Sequence, residues 1–364
     1  MTAQRDIRLF LADVDGALLT HEKALTAAAK AAVRDLHAAG IAFAITSGRP
    51  PRGMSMLIEP LALAGPVAGF NGGVFVNPDL SVIESHTLEP AAARETLALI
   101  LDRGLDAWLY TETEWLIRDK QAAHVAREAW TVKFEARQVR EFTEAHLAHA
   151  VKIVGVSDDL DRVALCEQAA REALGGRVSA ARSQPYYLDV THPLANKGEV
   201  VLTLARYLGI APAHIATMGD MPNDVLMFRK SGFSIAMGNA SDEVKAQASV
   251  VTDSNENEGF ANAVRRFILP SVIEVSEDDL PVFCPNPDMT LWSWHPRIYM
   301  DVVHESEPMC PYCGTRYRLK RRPGTKTEGN HAELAHRFEA AAPELRVDRT
   351  RPAPLAKKPG RSRR

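Results

Sequence analysis

Two aspartates, Asp13 and Asp15, follow an apolar run, IRLFLA, over residues 7–12. At i, i+2 spacing their side chains share one face of an extended strand, and a turn into the following loop lets both converge on one small site. Close carboxylates are costly without a neutralising partner, so the pair implies a cation or a shared proton. Oxygen ligands that leave room for bound water suit Mg²⁺. Far along the chain, GDMPND (219–224) sets Asp220 and Asp224 behind another apolar run, where they offer further oxygens to the same cation. Lys197 adds a positive charge able to hold an anionic group near Asp13. A lone DxD is common, a lone Lys before Gly is usually a surface residue, and GDxxND by itself can be a turn. Their joint occurrence, each at a strand end or loop, is the informative signal.

A second constellation lies near the other end. Cys284, His295, Cys310 and Cys313 form C-x10-H-x14-C-x2-C, and three of the four cysteines in the chain fall within these thirty residues. Three thiolates and one imidazole make a standard tetrahedral structural Zn²⁺ site. In CPYCG, Gly314 can take up the turn that lets two sulfurs face one ion. His304 competes for the fourth position, and His295 is preferred.

The acids must be held by a scaffold, and the sequence describes one. Residues 7–12 read as a buried parallel strand. Residues 25–39 have helical spacing, with Gly40 where a helix would stop. IAFAIT (41–46) is a second buried strand ending in SGRP, and PVAGFNGGVFV (66–76) gives a third strand signal with a glycine turn. Alternating strands and helices argue for an α/β domain with a doubly wound parallel sheet. In such sheets the ligand site lies beyond the carboxyl ends of the strands, where DVDG, TSGR and NGG all fall. Helix 199–208, strand-then-acid 215–224, strand and turn 233–240, helix 241–248, strand 249–252 and helix 259–267 complete it near Pro270. Residues 82 to about 190 read instead as an α+β insertion, with helices at 91–103, 121–130 and 159–174 and strands at 107–110, 151–156 and 186–190. The expected division is a core over 1–82 and 190–270, an inserted α+β domain over 83–189, a small zinc-binding module over 271–320, and a basic tail over 321–364. The tail reads as disordered apart from a helical stretch near 331–341.

Composition agrees with a soluble globular protein: 46% apolar and 24% charged residues over 364. The net charge of −3 is unevenly spread. Lys320–Arg364 carries thirteen Lys/Arg against five Asp/Glu, a net of +8. Such a tail either solubilises the chain or touches nucleic acid or an anionic surface. The first is expected, and nucleic acid is not an expected partner. No run approaches the ~18 apolar residues of a membrane span, and the first residues lack a secretion-signal pattern. Four cysteines do not make a disulfide framework, so the expected setting is reducing and cytoplasmic.

With these residues in view, the chain resembles the haloacid dehalogenase-like hydrolases, specifically the Cof-type phosphatases, from about residue 7 to 269. LFLADVDGALL, ITSGR (45–49), NKG (196–198) and MGDMPNDVLMF (218–228) are similar to the family's four motifs, and FNGG (70–73) and AMGNA (236–240) to its loops. The resemblance implies that Asp13 attacks phosphorus and carries an aspartyl-phosphate. Asp15 would protonate the leaving oxygen and then activate water. Ser47, with the backbone of Gly48, and Lys197 would hold the phosphoryl oxygens. Mg²⁺ would take Asp13, the carbonyl of Asp15 and Asp220, with Asp224 orienting that shell and Asn223 supporting the phosphate site. Arg49, Asn71, Gly72 and Asn196 would contact the substrate, a sugar phosphate or other small phosphorylated metabolite. The insertion resembles the family's cap, in which Trp108, Tyr110, Arg182, Tyr186 and Tyr187 are either specificity positions or core and rim. One departure is Ala17, where the family usually has Thr. Residues 281–319, with HPRIY and CPYCG, resemble the CHCC zinc fingers, which implies a structural Zn²⁺ and a possible protein partner. The competing function is a docking protein that uses finger and tail, with a weak or vestigial hydrolase core.

Overall fold

The computed structural model describes residues 6–269, 272–286, 296–310 and 315–320. They fall into two compact units, one over Arg5–Leu269 and one comprising the described residues from 272 onward.

The strands of the first unit are, in order, β1 (Leu9–Asp13), β2 (Ala42–Thr46), β3 (Val67–Gly69), β4 (Val74–Val76), β5 (Val82–Ser85), β6 (Asp106–Tyr110), β7 (Trp115–Ile117), β8 (Arg137–Gln138), β9 (Lys152–Val156), β10 (Ser179–Gln184), β11 (Tyr187–Thr191), β12 (Ile215–Gly219), β13 (Phe233–Ala236) and β14 (Val250–Val251). Eight of them form the main sheet, in the order β14-β13-β12-β1-β2-β3-β4-β5. β1 lies in its interior with all five residues buried and pairs in parallel with both β12 and β2. This is why LFLAD is an unbroken apolar run rather than an alternating one: helices cover both faces. The register sets Ala12 beside Met218 and Asp13 beside Thr46. The strand ends that carry DVDG, TSGR and GDMPND are therefore neighbours at one edge.

The sheet is mixed rather than purely parallel. β3, β4 and β5 run antiparallel to one another, so residues 66–76, expected as one strand signal with a glycine turn, are a tight hairpin. Its turn needs left-handed backbone at Phe70, Asn71 and Gly72 in succession (φ 52°, 56° and 98°). β5 carries the main sheet to Ser85, past the expected edge at residue 82.

The intervening residues build a second, six-stranded sheet, β10-β11-β9-β6-β7-β8. β7, β8 and β10 were not read from the sequence. They are short or polar: two residues in β8, and SAARSQ in β10, mostly exposed. Other boundaries moved modestly. Helix 121–130 is Val125–Val132, helix 241–248 is a single turn over Asp242–Lys245, and helix 259–267 widens into a π-type turn over Val264–Ile268.

In the second unit, Val272–Val275 pairs in parallel with Arg316–Leu319, and Phe283–Cys284 pairs antiparallel with Ile298–Tyr299. Its small core gathers Val275, Val282, Cys284, Met300, Cys310 and Tyr317. Cys284 and Cys310 are both fully buried. The other two expected zinc ligands, His295 and Cys313, and the expected helix near 331–341 lie outside the described residues. His304 has its Nδ1 against the Asp301 carboxylate, at 2.9 Å. Among the described residues no helix is long and apolar enough to cross a membrane.

Candidate active site

Asp13 ends β1 inside the sheet and is 4% exposed. Lys197 opens the helix Lys197–Leu208, and that helix starts there because the Asn196 side chain caps it, accepting the Glu199 N–H at 3.1 Å. The cap fixes where the lysine leaves the backbone. Its Nζ lies 2.5 Å from Asp13 Oδ1 and 2.5 Å from Asp224 Oδ1. The other Asp224 oxygen accepts the backbone N–H groups of Asp220 (2.9 Å) and Met221 (2.8 Å), which folds the GDMPND turn around a fully buried carboxylate. Asp220 completes the group: Asp13, Asp220 and Asp224 each present an oxygen within 4.8 Å of the others.

Three carboxylates around one ammonium leave the cluster short of positive charge. The electrostatics follow. Burial pushes Asp13 well above the usual carboxylate range, with Asp224 and Asp220 adding to the push and Lys197 opposing it. Burial, then Asp224, pushes Asp220 up to about 6. Lys197 is drawn the other way: burial disfavours its charge, but the two carboxylates override that and hold it protonated. A divalent cation would neutralise the residual two negative charges. Asp220 Oδ1 is buried without a hydrogen-bond partner, a vacant acceptor facing this need. Gly16 keeps the space beside Asp220 clear; a Cβ there would fall 2.3 Å from Asp220 Oδ2. Donor type, charge and free acceptor all fit Mg²⁺.

Asp15 is not in that cluster. Its carboxylate takes Arg49 Nε at 2.7 Å and Nη2 at 2.6 Å, and Lys23 Nζ at 2.7 Å. Burial raises Asp15, but the hydrogen bonds and charges of Arg49 and Lys23 outweigh it and leave the group below its ordinary value. Two aspartates two residues apart are thus set to opposite protonation tendencies by what surrounds them.

A family model described as haloacid dehalogenase-like hydrolase matches residues 10–264. The chain belongs to the haloacid dehalogenase-like hydrolases. Similar proteins include the 5-amino-6-(5-phospho-D-ribitylamino)uracil phosphatase YcsE of Bacillus subtilis, 26% identical across 74% of this chain and 100% of that protein. The HMP-PP phosphatase of Cronobacter sakazakii is 27% identical over 66% of this chain and 87% of its own length. The crystal structure of a haloacid dehalogenase-like hydrolase from Bacteroides thetaiotaomicron superposes with a TM-score of 0.66 at 24% identity, covering 71% of this chain and 99% of that one. These relatives and neighbours place the hydrolase among phosphoric monoester hydrolases.

Around the acids of this hydrolase, the remaining expected residues take distinct places. Ser47 is buried just past β2, its Oγ accepting the Arg49 N–H at 3.1 Å. The Asn71 amide lies against Gly48, its backbone N–H reaches the Ser47 carbonyl at 2.7 Å, and its Oδ1 accepts Asn223 Nδ2 at 3.3 Å. Gly72 supplies the last left-handed residue of that turn. Asn196, expected as a substrate contact, caps the helix, and its Nδ2 donates to the Pro193 carbonyl at 3.0 Å. Arg49, also expected at the substrate, is held by Asp15 and donates to the Gly53 carbonyl at 3.4 Å. Of the insertion's candidates, Arg182 pairs with Glu167 on the helix-covered side, opposite Leu188. Tyr186 stacks on His124 at 4.3 Å. Trp108, Tyr110 and Tyr187 pack into the same apolar cluster as Phe70 and Val74. Ala17, the departure from the family pattern, is buried in that cluster.

Three supporting residues escaped the sequence reading. Lys23 sits in a loop with no pattern to mark it. Asn239 bridges Gly16 O (2.9 Å) and Asp220 Oδ2 (3.1 Å), and Asn255 ties its own N–H to Asn239 (3.1 Å) and its side chain to Leu19 O (3.0 Å). Asn239 follows a buried strand in AMGNA, the same strand-then-polar signal that marked the acids.

Proposed function

We propose that this protein is a Mg²⁺-dependent phosphatase of small phosphorylated metabolites that works through an aspartyl-phosphate on Asp13. The observation that carries the reading is the cluster of buried Asp13 and Asp224, bridged by Lys197, with half-buried Asp220 beside them at the carboxyl ends of β1 and β12. Asp13, Asp220 and the main-chain carbonyl of Asp15 would hold the metal. When bound, it supplies charge neutralisation that lets a carboxylate meet a phosphate dianion.

The chain's own groups then divide the work. Asp13 attacks phosphorus and displaces the leaving oxygen, which takes its proton from Asp15. Asp15 next removes a proton from water as the aspartyl-phosphate is hydrolysed. Its ion pairs with Arg49 and Lys23 suit that second, basic role; arrival of an anionic substrate would draw the two cations off and return a proton to it. Lys197 and the Ser47–Gly48 segment steady the phosphoryl oxygens, which is the larger part of catalysis in phosphoryl transfer. Asp224, with one oxygen on Lys197 and the other on two backbone N–H groups, positions the lysine. The small-metabolite assignment draws on relatives named for such substrates, including a pyridoxal phosphate phosphatase of Escherichia coli. The second sheet, over β6–β11, is assigned to the cap.

The C-terminal unit is assigned as a structural zinc module. Support comes from the C-x2-C spacing at 310–313 and the full burial of Cys284 and Cys310 in one small cluster. A protein partner for this module remains part of the proposal. Metal analysis of purified protein should find about one Zn²⁺ per chain, and a Cys310→Ser variant should lose it.

The deciding assay is phosphate release from a panel of phosphomonoesters, with Mg²⁺ and with EDTA. Mg²⁺-dependent release that Asp13→Asn reduces by about 10³-fold or more supports the reading. No release by folded, Mg²⁺-loaded wild type sinks it.

A further inference from the structure

The chain crosses between its two sheets twice, out after β5 and back after β11. A histidine is the first residue of each crossing: His86 follows Ser85, and His192 follows Thr191. The two rings stack, with centroids 5.5 Å and planes 22° apart. Phe75 of β4 stands nearly perpendicular to His86, at 6.4 Å. The outgoing crossing is tied by the His86 N–H to the Gly73 carbonyl at 2.8 Å and by the Leu88 N–H to the Ala150 carbonyl at 2.7 Å. The returning crossing is a run of short-range hydrogen bonds that ends at Lys197. The Leu194 N–H donates to His192 Nδ1 at 3.1 Å. The Ala195 N–H donates to the His192 carbonyl and the Asn196 N–H to the Leu194 carbonyl, each at 2.9 Å. Asn196 then caps the helix, and the next residue, Lys197, reaches Asp13 and Asp224. The turn over 192–196 thus fixes the point from which the lysine is aimed.

The bond to Leu194 carries a chemical condition. A backbone N–H can only donate, so His192 Nδ1 presents a lone pair and the neutral ring keeps its proton on Nε2. A second proton can go only to Nδ1, where it displaces the Leu194 N–H. The charged groups around the pair bear on its other member: a Glu84 oxygen lies 3.6 Å from His86 Nε2, and Arg206 of the helix Lys197–Leu208 holds the other Glu84 oxygen at 3.0 Å. Phe75 brings no charge. On His192 itself, burial and then His86 push the ring below its ordinary value. Both keep the acceptor in place at neutral pH, and the bond is lost under acid, below the ordinary histidine range.

We infer that His192 is a positioning residue for Lys197 that works only as the neutral ring: a proton on Nδ1 breaks the bond to Leu194, loosens the 192–196 turn and misaims the lysine. The return crossing from the second sheet is thereby an acid-sensitive control on the acid cluster. The inference rests on the phosphatase reading above for what Lys197 does.

The test compares wild type, His192→Asn and His192→Ala as full-length, Mg²⁺-loaded proteins hydrolysing p-nitrophenyl phosphate from about pH 5 to 8. Asparagine does not titrate, and its side-chain oxygen can accept the N–H two residues on. His192→Asn should therefore match wild type within about twofold near pH 7.5 and keep at least about threefold more of that activity near pH 5.5. His192→Ala has no acceptor and should be about tenfold slower across the range. The acids of the cluster titrate in all three proteins, so the difference between the profiles belongs to position 192. NMR of ¹⁵N-histidine-labelled wild type reads the proton directly: near neutral pH, His192 should be the Nε2–H tautomer. If His192→Ala does not fold, His192→Asn and the tautomer still decide. An acid limb unchanged in His192→Asn, full activity in His192→Ala near pH 7.5, or an Nδ1–H tautomer overturns the inference. Failure of folded wild type to hydrolyse any phosphomonoester would instead remove the phosphatase reading.

Discussion

The two sheets of the first unit store their polar chemistry differently. In the main sheet the polar groups sit at strand ends and the central ones are paired: Lys197 reaches two acids, and Asp224 uses both oxygens, while Thr46 Oγ1 and Asp220 Oδ1 are buried unpartnered. In the insertion sheet they stand in mid-strand, and several are buried unpaired. The first arrangement is left two negative charges over, with one Asp220 oxygen unpartnered; the second has both acceptors and donors left over. One sheet gathers its acids at strand ends; the other carries its polar groups in mid-strand.

The sharpest test of this contrast is Lys197→Met. It strands Asp13 and Asp224 without their shared cation, and breaking a buried pair costs about 3–5 kcal/mol. Urea unfolding should show that loss, and phosphate release should fall by about 10²-fold or more. A stable, active variant would mean that the strand-end cluster is not a paired unit. Next comes Gly219→Ala. Its Cβ would lie 2.2 Å from the Asp224 carboxyl carbon, and forcing that cluster apart should cost about 1–3 kcal/mol and raise the Mg²⁺ concentration needed for half activity. Smallest should be Trp108→Phe, which removes an indole N–H that has no partner. Unfolding free energy should fall by about 1–2 kcal/mol for the lost ring volume. A larger stability loss there would show that the indole N–H is structural.

Acidity offers another way to separate the groups. Asp13 and Asp220 are raised in the folded state, so the native protein holds protons that the unfolded chain has released. Their stabilising contribution is complete below the unfolded carboxylate range, near pH 4, and is lost as pH rises through about 6 for Asp220. Asp15 is lowered, and its contribution is present above that range and lost as pH falls through its folded value. Metal-free protein should therefore lose stability in urea titrations between about pH 4 and pH 6, and saturating Mg²⁺ should flatten or reverse the trend. An upward trend without metal would count against the electrostatic description of the cluster.

The same contrast explains what the sequence disclosed. The main sheet was legible because buried parallel strands are continuous apolar runs and the acids follow them directly, as in LFLAD and IATMGD. Asp13, Lys197, Asp220 and Asp224 could be read as one group for that reason. What escaped depends on geometry that has no local signature. Asp15 turns to Arg49 and Lys23 because of the loop's path. Asn196 caps a helix whose start was placed two residues late. The edge strands β8 and β10 are too short or too polar to stand out. In the C-terminal unit, spacing proposed a zinc site of which the described residues include two thiols.

The order of the elements has a consequence for birth on the ribosome. β1 emerges within the first residues, yet its neighbour β12 begins only at Ile215, so the nucleophile's strand must wait for most of the first unit to be made. All six strands of the second sheet lie between residues 106 and 191. That sheet can pair before β12 exists, while β1 still has an open side. Synthesis thus delivers a finished second sheet before the strand ends that carry Asp13 and Asp220 have met, and the half-made protein has no assembled acid cluster.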